Sequence, residues 1–167
     1  VARLHIVHPM AVAAVERHLE TGRPLLVVSQ LDPEIEDLLV AELSGTACTA
    51  TVRRVVRLGD DTLRVLIEGH ERARVRDLRE DPDGLLVATG RVLPDSVEDA
   101  EQVDLLTRQL RESVRNLHSP EGSETPALAR VADLEVLPGR LADHAAANLT
   151  LPYAERLPYL METVVDR

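Results

Sequence analysis

The sequence predicts an α+β chain in which a bent antiparallel sheet or small open barrel fills residues 1–94 and a helical bundle fills 95–167. Three observations carry this reading. Residues 50–76 read as three consecutive strands, with Leu63, Val65 and Ile67 alternating with Arg64, Leu66 and Glu68, the period of a strand with one buried face. Turn clusters at Gly59-Asp60-Asp61 and at residues 80–84 punctuate the strands, as antiparallel hairpins require. Beyond Pro94 the period changes to 3.6, with Val103, Leu106, Leu110, Val114 and Leu117 stepping along one face of a helix.

The elements follow in order. Residues 4–7 read as a short strand, and His8-Pro9 opens a helix with proline at a tolerated first-turn position. Val12, Val15 and Leu19 give that helix an apolar stripe, and Gly22 is placed to end it. Leu25 to Val28 is a continuous apolar run expected to form a strand covered on both faces. Residues 32–42 mix acids and Pro33 with four apolar residues at 38–41, which leaves loop, short helix and short strand open. The first central strand alternates loosely around Val52 and Val56, and Gly69 is expected to mark a bulge or sharp bend before the third, Ala73 to Val75. A further strand covers residues 85–93. In the second half, Ser96 is the expected cap of the long helix, with Asp99 completing a capping box. Helical segments are expected at about 126–134, 138–149 and 152–166, with Leu137, Leu141, Ala145 and Leu149 on one face.

Composition narrows the function. Hydrophobic residues make up 44% of the chain, yet there is no Phe, no Trp and only two Tyr, so the core must be aliphatic. All nineteen basic residues are arginine. A phosphate-loop lysine, a Schiff base and a Ser–Lys dyad are thereby excluded from this stretch. Residues 94–167 carry seven arginines against fourteen acids, a balance that repels nucleic acid. The single Cys48 cannot form an internal disulfide, and it reads as a small buried residue inside a strand. No apolar run approaches the roughly 20 residues of a membrane span, and the first residues lack the regions of a signal peptide. A cytoplasmic location is the expectation.

No catalytic constellation is visible. The six histidines do not stand at metal-ligand spacing with Cys or carboxylates, and no nucleophile elbow or phosphate loop is present. Residues 53–79 hold eight arginines against five acids, a charge that suits nucleic acid, but no aromatic residue is interleaved for base stacking. The favoured reading is a solvated sheet face whose arginines pair with cross-strand acids.

Three motifs carry a family resemblance: Leu26-Val27-Val28-Ser29-Gln30 followed by Asp32-Pro33-Glu34-Ile35-Glu36-Asp37, then Leu66-Ile67-Glu68-Gly69 with Arg72, Arg74 and Val75, then Leu141-Ala142-Asp143 with Leu149. Together, in this order, they resemble the N-terminal domain of Lon proteases over most of the chain. Ala47-Cys48-Thr49-Ala50 stands where that family has Gly-Thr-x-Ala. The resemblance implies a PUA-like pseudo-barrel of antiparallel strands followed by an α-helical bundle. It also implies attachment to an AAA+ ATPase module and a Ser–Lys protease domain of the same chain, and assembly as a hexamer. The implied role is substrate recognition in protein quality control, holding unfolded or degron-tagged proteins for ATP-dependent proteolysis. By itself the stretch is expected to be no enzyme and to need no cofactor, metal or membrane. Capture through apolar surface points to Ile6, Pro9, Met10, Ile35, Leu38 and Leu39, at the strand–helix junction and in the acidic loop. The alternative is a stand-alone module of the same fold that binds protein or RNA partners.

Overall fold

The computed structural model describes residues 1–32, 43–59, 61–116 and 130–166. The chain divides into two compact units, residues 1–93 and 94–167. The expected segment at 32–42, with Ile35, Leu38 and Leu39, lies outside the described residues except for Asp32; so do Asp60, Leu117 and residues 126–129 of the expected helix at 126–134.

The first unit contains β1 (Ala2–Ile6), α1 (Pro9–Thr21), β2 (Leu25–Gln30), β3 (Leu43–Arg57), β4 (Leu63–Glu80) and β5 (Leu86–Leu93). All strand pairs are antiparallel, in the order β1-β4-β3-β2, with β5 also on β4. Strand β4 is long enough to serve two neighbours along one edge: residues 63–67 pair with β1 and residues 72–80 with β5.

Helix α1 begins as its residues dictate. The His8 ring accepts from the Met10 N–H at 3.3 Å, Pro9 occupies the first turn, and Gly22 closes the helix at φ +66° with its N–H on the His18 carbonyl. Val15 is buried with Leu63, Val65 and Ile67, while Ile6, Val12, Leu25, Val27, Val52 and Val55 pack around them. Leu19, expected on the same stripe, is 53% exposed, because the last turn of α1 runs past the sheet core.

Where three central strands were expected there are two, joined at Leu58–Thr62 by a hydrogen bond of 2.9 Å and a left-handed Asp61. Gly69 does not break β4. The expected bulge lies beside it: Cys48 faces Arg72 and Ala50 faces Gly69, so β4 carries one extra residue there. The Thr49 hydroxyl bridges the irregularity, accepting from the Glu71 N–H at 3.1 Å and donating to the Glu71 carbonyl at 3.2 Å. A Cβ on Gly69 would stand 2.9 Å from the Cys48 sulfur, so the glycine is a matter of space. Gly69→Ala is therefore expected to lower stability by about 1–2 kcal/mol, and Cys48→Ala added to it should recover most of the loss in urea unfolding. A double variant as unstable as the single one would place the requirement in the backbone instead.

Small residues let the sheet curl. Ala47 faces Ala73, and Ala73 faces Val92, with both alanines almost fully buried. Gly90 stands next to Ala73, and a Cβ there would touch Leu26 of β2 at 3.5 Å. In a flat sheet β2 and β5 would lie about 14 Å apart, three strand spacings. Their approach closes the sheet into the expected open barrel.

The second unit contains α2 (Ala100–Asn116), α3 (Pro138–Asn148) and α4 (Tyr153–Met161). Val114 of α2, Leu141 and Ala145 of α3, and Val131 and Ala132 from the segment before α3 form one core, flanked by Leu110, Leu134, Val136 and Leu149. The Arg111 guanidinium donates to the carbonyls of Ala132 and Leu134 at 2.5 and 2.8 Å, tying α2 to the turn before α3. The α2 cap is Asp99, which accepts from the N–H groups of Glu101 and Gln102, and not Ser96. Ser96 is engaged elsewhere, in a parallel bridge with Val164. Leu137 precedes the first turn of α3 and is 72% exposed, so it leaves the face shared by Leu141 and Ala145. The last helix ends at Met161 rather than near 166, with Pro158 inside it, and the Glu162 carboxylate then accepts from the N–H groups of Thr163 and Val164.

Candidate functional site

The first unit presents an open groove of about 590 Å³ where the last turn of α1 meets the irregularity of β3 and β4. Leu19, Pro24, Ala50 and Val92 supply apolar walls; Thr49, Thr51 and His70 supply polar ones. Leu19 and Val92 are 53% and 42% exposed, large aliphatic side chains facing water across one hollow. The Thr51 hydroxyl and the His70 ring are hydrogen-bonded at 2.8 Å on its rim.

His18 shapes one wall. Its Nδ1–H donates to the Arg23 carbonyl at 2.5 Å, and its Nε2 accepts from the Val52 N–H at 3.2 Å. The carbonyl can only accept and the amide can only donate, so the ring is held as the neutral Nδ1–H tautomer. It takes the place of a neighbouring strand, since β2 pairs with β3 only as far as Ala50. His18→Ala is expected to cost about 1–2 kcal/mol by leaving both backbone groups without their protein partner. His18→Phe, which keeps the ring and loses both bonds, should cost as much; a stable Phe variant in urea unfolding would reduce the role of His18 to filling space.

Of the residues singled out from the sequence, the described ones, Ile6, Pro9 and Met10, do not line this groove. Ile6 packs against the barrel core, Pro9 is exposed, and Met10 is half-buried at the first turn of α1. Met10 and Leu19 are nine residues apart, or about 13 Å along the helix axis. The groove was missed because Leu19 fits the apolar stripe of α1 and Val92 the alternation of a strand, so neither pattern reveals that the side chain ends in solvent.

The arginine-rich strands are laced with acids. Arg53 binds Glu68 across β3 and β4, Arg57 binds Glu16 of α1, and Arg17 binds Asp83 at 2.8 Å. The hydrogen bond from Arg53, with its charge, holds the Glu68 carboxyl below its ordinary range. The lowered value means that the pair's contribution is present above the ordinary carboxylate range and is lost as the pH falls through the depressed one. Among the described residues no cluster of three or more His, Cys, Asp or Glu could hold a metal ion, and no helix is long and apolar enough to cross a membrane.

Comparison with known proteins converges on one family. The family model of the ATP-dependent protease La (LON) substrate-binding domain matches residues 1–166. A Lon protease of Desulfovibrio desulfuricans is 31% identical over 166 residues, covering 98% of this chain and 19% of the relative. Lon protease 1 of Thermus thermophilus is 34% identical over 101 residues, 60% of this chain and 12% of the relative. The chain thus spans about a fifth or less of the length of these curated relatives. Two solved structures agree: a Lon N-terminal domain protein from Xanthomonas campestris superposes with a TM-score of 0.62 at 18% identity, over 98% of this chain and 82% of its own. The N-terminal domain of a Mycobacterium avium complex Lon protease does so at 0.55 and 18%, over 96% and 88%. At that identity the structures speak for the fold.

Proposed function

The chain belongs to the family of Lon protease substrate-binding domains, and from that premise we propose that it is the substrate-recognition and assembly region of an ATP-dependent Lon-type serine protease. In this reading it captures unfolded or degron-bearing proteins through apolar surface and passes them to ATPase and protease modules of the same chain. The parent works as a cytoplasmic hexamer. The observation that carries the reading is the family match along residues 1–166. The groove supports it, because Leu19 and Val92 offer aliphatic surface that no folded neighbour among the described residues covers.

The physics suits breadth of recognition. Burying a client side chain is worth about 1.5–3 kcal/mol and makes no directional demand, so many sequences bind weakly. Pro9 and Met10, together with Ile35, Leu38 and Leu39, are proposed as further contacts beyond the groove. Ile6 supports the barrel core, and its replacement is expected to act through stability.

The test is binding of labelled unfolded casein and of a short RNA, each at two salt concentrations. Casein binding that survives added salt, without RNA binding, is the expected result. Leu19→Ser with Val92→Ser should weaken casein binding at least fivefold and leave the melting temperature within a few degrees. Unchanged affinity would remove the groove from the account. RNA binding that collapses with salt would move the function to the arginine-rich strands instead.

A further inference from the structure

Not every arginine of the central strands holds an acid. In β4, Arg74 and Arg76 stand on either side of Val75 and so share one face of the sheet. The register places Arg91 of β5 directly opposite Arg74, and Thr89 opposite Arg76. Residues so opposed have Cβ atoms roughly 5 Å apart, which crowds three guanidinium groups into one patch. On the β3 side Arg74 faces the neutral Thr46. All three arginines are exposed, and among the described residues none of them makes an ion pair or a side-chain hydrogen bond. Asp77, the acid next to Arg76, accepts from the Thr89 hydroxyl at 2.9 Å.

Like charges set directly opposite each other weaken a sheet. Elsewhere in the unit the arrangement is the reverse, with Arg53, Arg57 and Arg17 each bound to a carboxylate. The chain carries 29 acids against 19 arginines, so the cluster does not arise from a shortage of acids. Val92 follows Arg91 along β5, turns to the opposite face and lines the groove. Patch and groove are thus one residue step apart, about 3.3 Å along the strand.

We infer that Arg74, Arg76 and Arg91 form a docking patch for an acidic segment of a client polypeptide. This rests on the capture reading and deepens it by naming a client class: a run of Asp or Glu beside aliphatic residues. The carboxylates meet the arginines, and the aliphatic side chains enter the groove on the far side of β5. Guanidinium suits the first task, since it stays charged and binds a carboxylate through two parallel N–H groups. Nucleic acid offers negative charge as well, but the first unit has no aromatic side chain on which bases could stack. A net charge of −10 also repels a long polyanion more than a short acidic segment.

The experiment uses the whole chain and a labelled peptide of four glutamates followed by Leu and Val residues, beside the same peptide with Gln for Glu. At low salt the glutamate peptide is expected to bind at least tenfold more tightly, and added salt should close the gap by screening exposed charges. Arg74→Gln with Arg91→Gln should abolish the gap, whereas Arg108→Gln of α2, another exposed arginine, should leave it within twofold. The double variant should melt no lower than the parent, because the opposed charges are gone. A drop would assign the arginines to the stability of the sheet and overturn the patch. Equal binding of the two peptides, or a gap that Arg108→Gln reduces as much as the double variant does, would overturn it while leaving capture by the groove intact. A short RNA bound more tightly than the glutamate peptide would overturn the client class in favour of nucleic acid. If neither unfolded casein nor either peptide binds, the capture reading fails and the patch fails with it.

Discussion

Leu63→Ala is expected to destabilise the first unit by about 3–5 kcal/mol, the range for emptying a fully buried leucine site. Leu63 opens β4, is 1% exposed, and meets Val15, Val65 and Ile67 in the largest cluster of the barrel. It is paired on both sides, with Ile6 of β1 and Arg57 of β3, so neither neighbour can slide in to fill the space. A core built without Phe or Trp offers no large ring to rotate into the cavity. Urea unfolding followed by circular dichroism gives the magnitude, and hydrogen exchange should locate the loss in residues 1–93. A cost under 1 kcal/mol would mean that the strands collapse around the missing atoms. Leu63→Met, which conserves volume, should cost less than about 1.5 kcal/mol.

Asp166→Ala is expected to cost the second unit about 2–4 kcal/mol. The carboxylate is buried and accepts from the backbone N–H groups of Glu98 and Asp99, each at 2.9 Å, immediately before α2. Hydrogen bonds to a charged acceptor are worth more than neutral ones, roughly 1.5–3 kcal/mol each, and two N–H groups lose a partner at once. The Asp166 carbonyl also accepts from Gln102, and the strand-like bridge of Ser96 with Val164 lies next to it. Residues 163–166 thereby hold the start of α2 in place. Asp166→Asn keeps one carbonyl oxygen but replaces the other acceptor with a donor facing an N–H, so it should recover little of the loss. The measurement is again urea unfolding, with exchange of the α2 amides as the local readout. Full stability of the Ala variant would show that Asp99 alone suffices to cap the helix.

The contrast between Asp99 and Ser96 shows where local reasoning stops. Both residue types cap helices, and both stand ahead of the same apolar stripe. The choice was made by Val164 and Asp166, nearly seventy residues away, which occupy Ser96 and the N–H groups beside it. Gly69 tells the same story in the sheet. Its sequence position announces an irregularity, and β4 carries an extra residue beside it, but the reason a glycine is needed is the sulfur of Cys48 on the next strand.

From the sequence alone came the α+β class, the alternation that buries Leu63, Val65 and Ile67, the end of α1 at Gly22 and the resemblance to Lon N-terminal domains. These rest on periodicity, turn chemistry and motif order, all carried by residues close together along the chain. The tertiary structure alone decided that β4 serves two neighbours, that Ala47, Ala73 and Gly90 let Leu26 reach across the curled sheet, and that Leu19 meets Val92 in an open groove. An apolar side chain looks the same in a pattern whether it is covered or not. Its exposure depends on which distant residues arrive to cover it, and that is settled by register and curl, not by the residue itself.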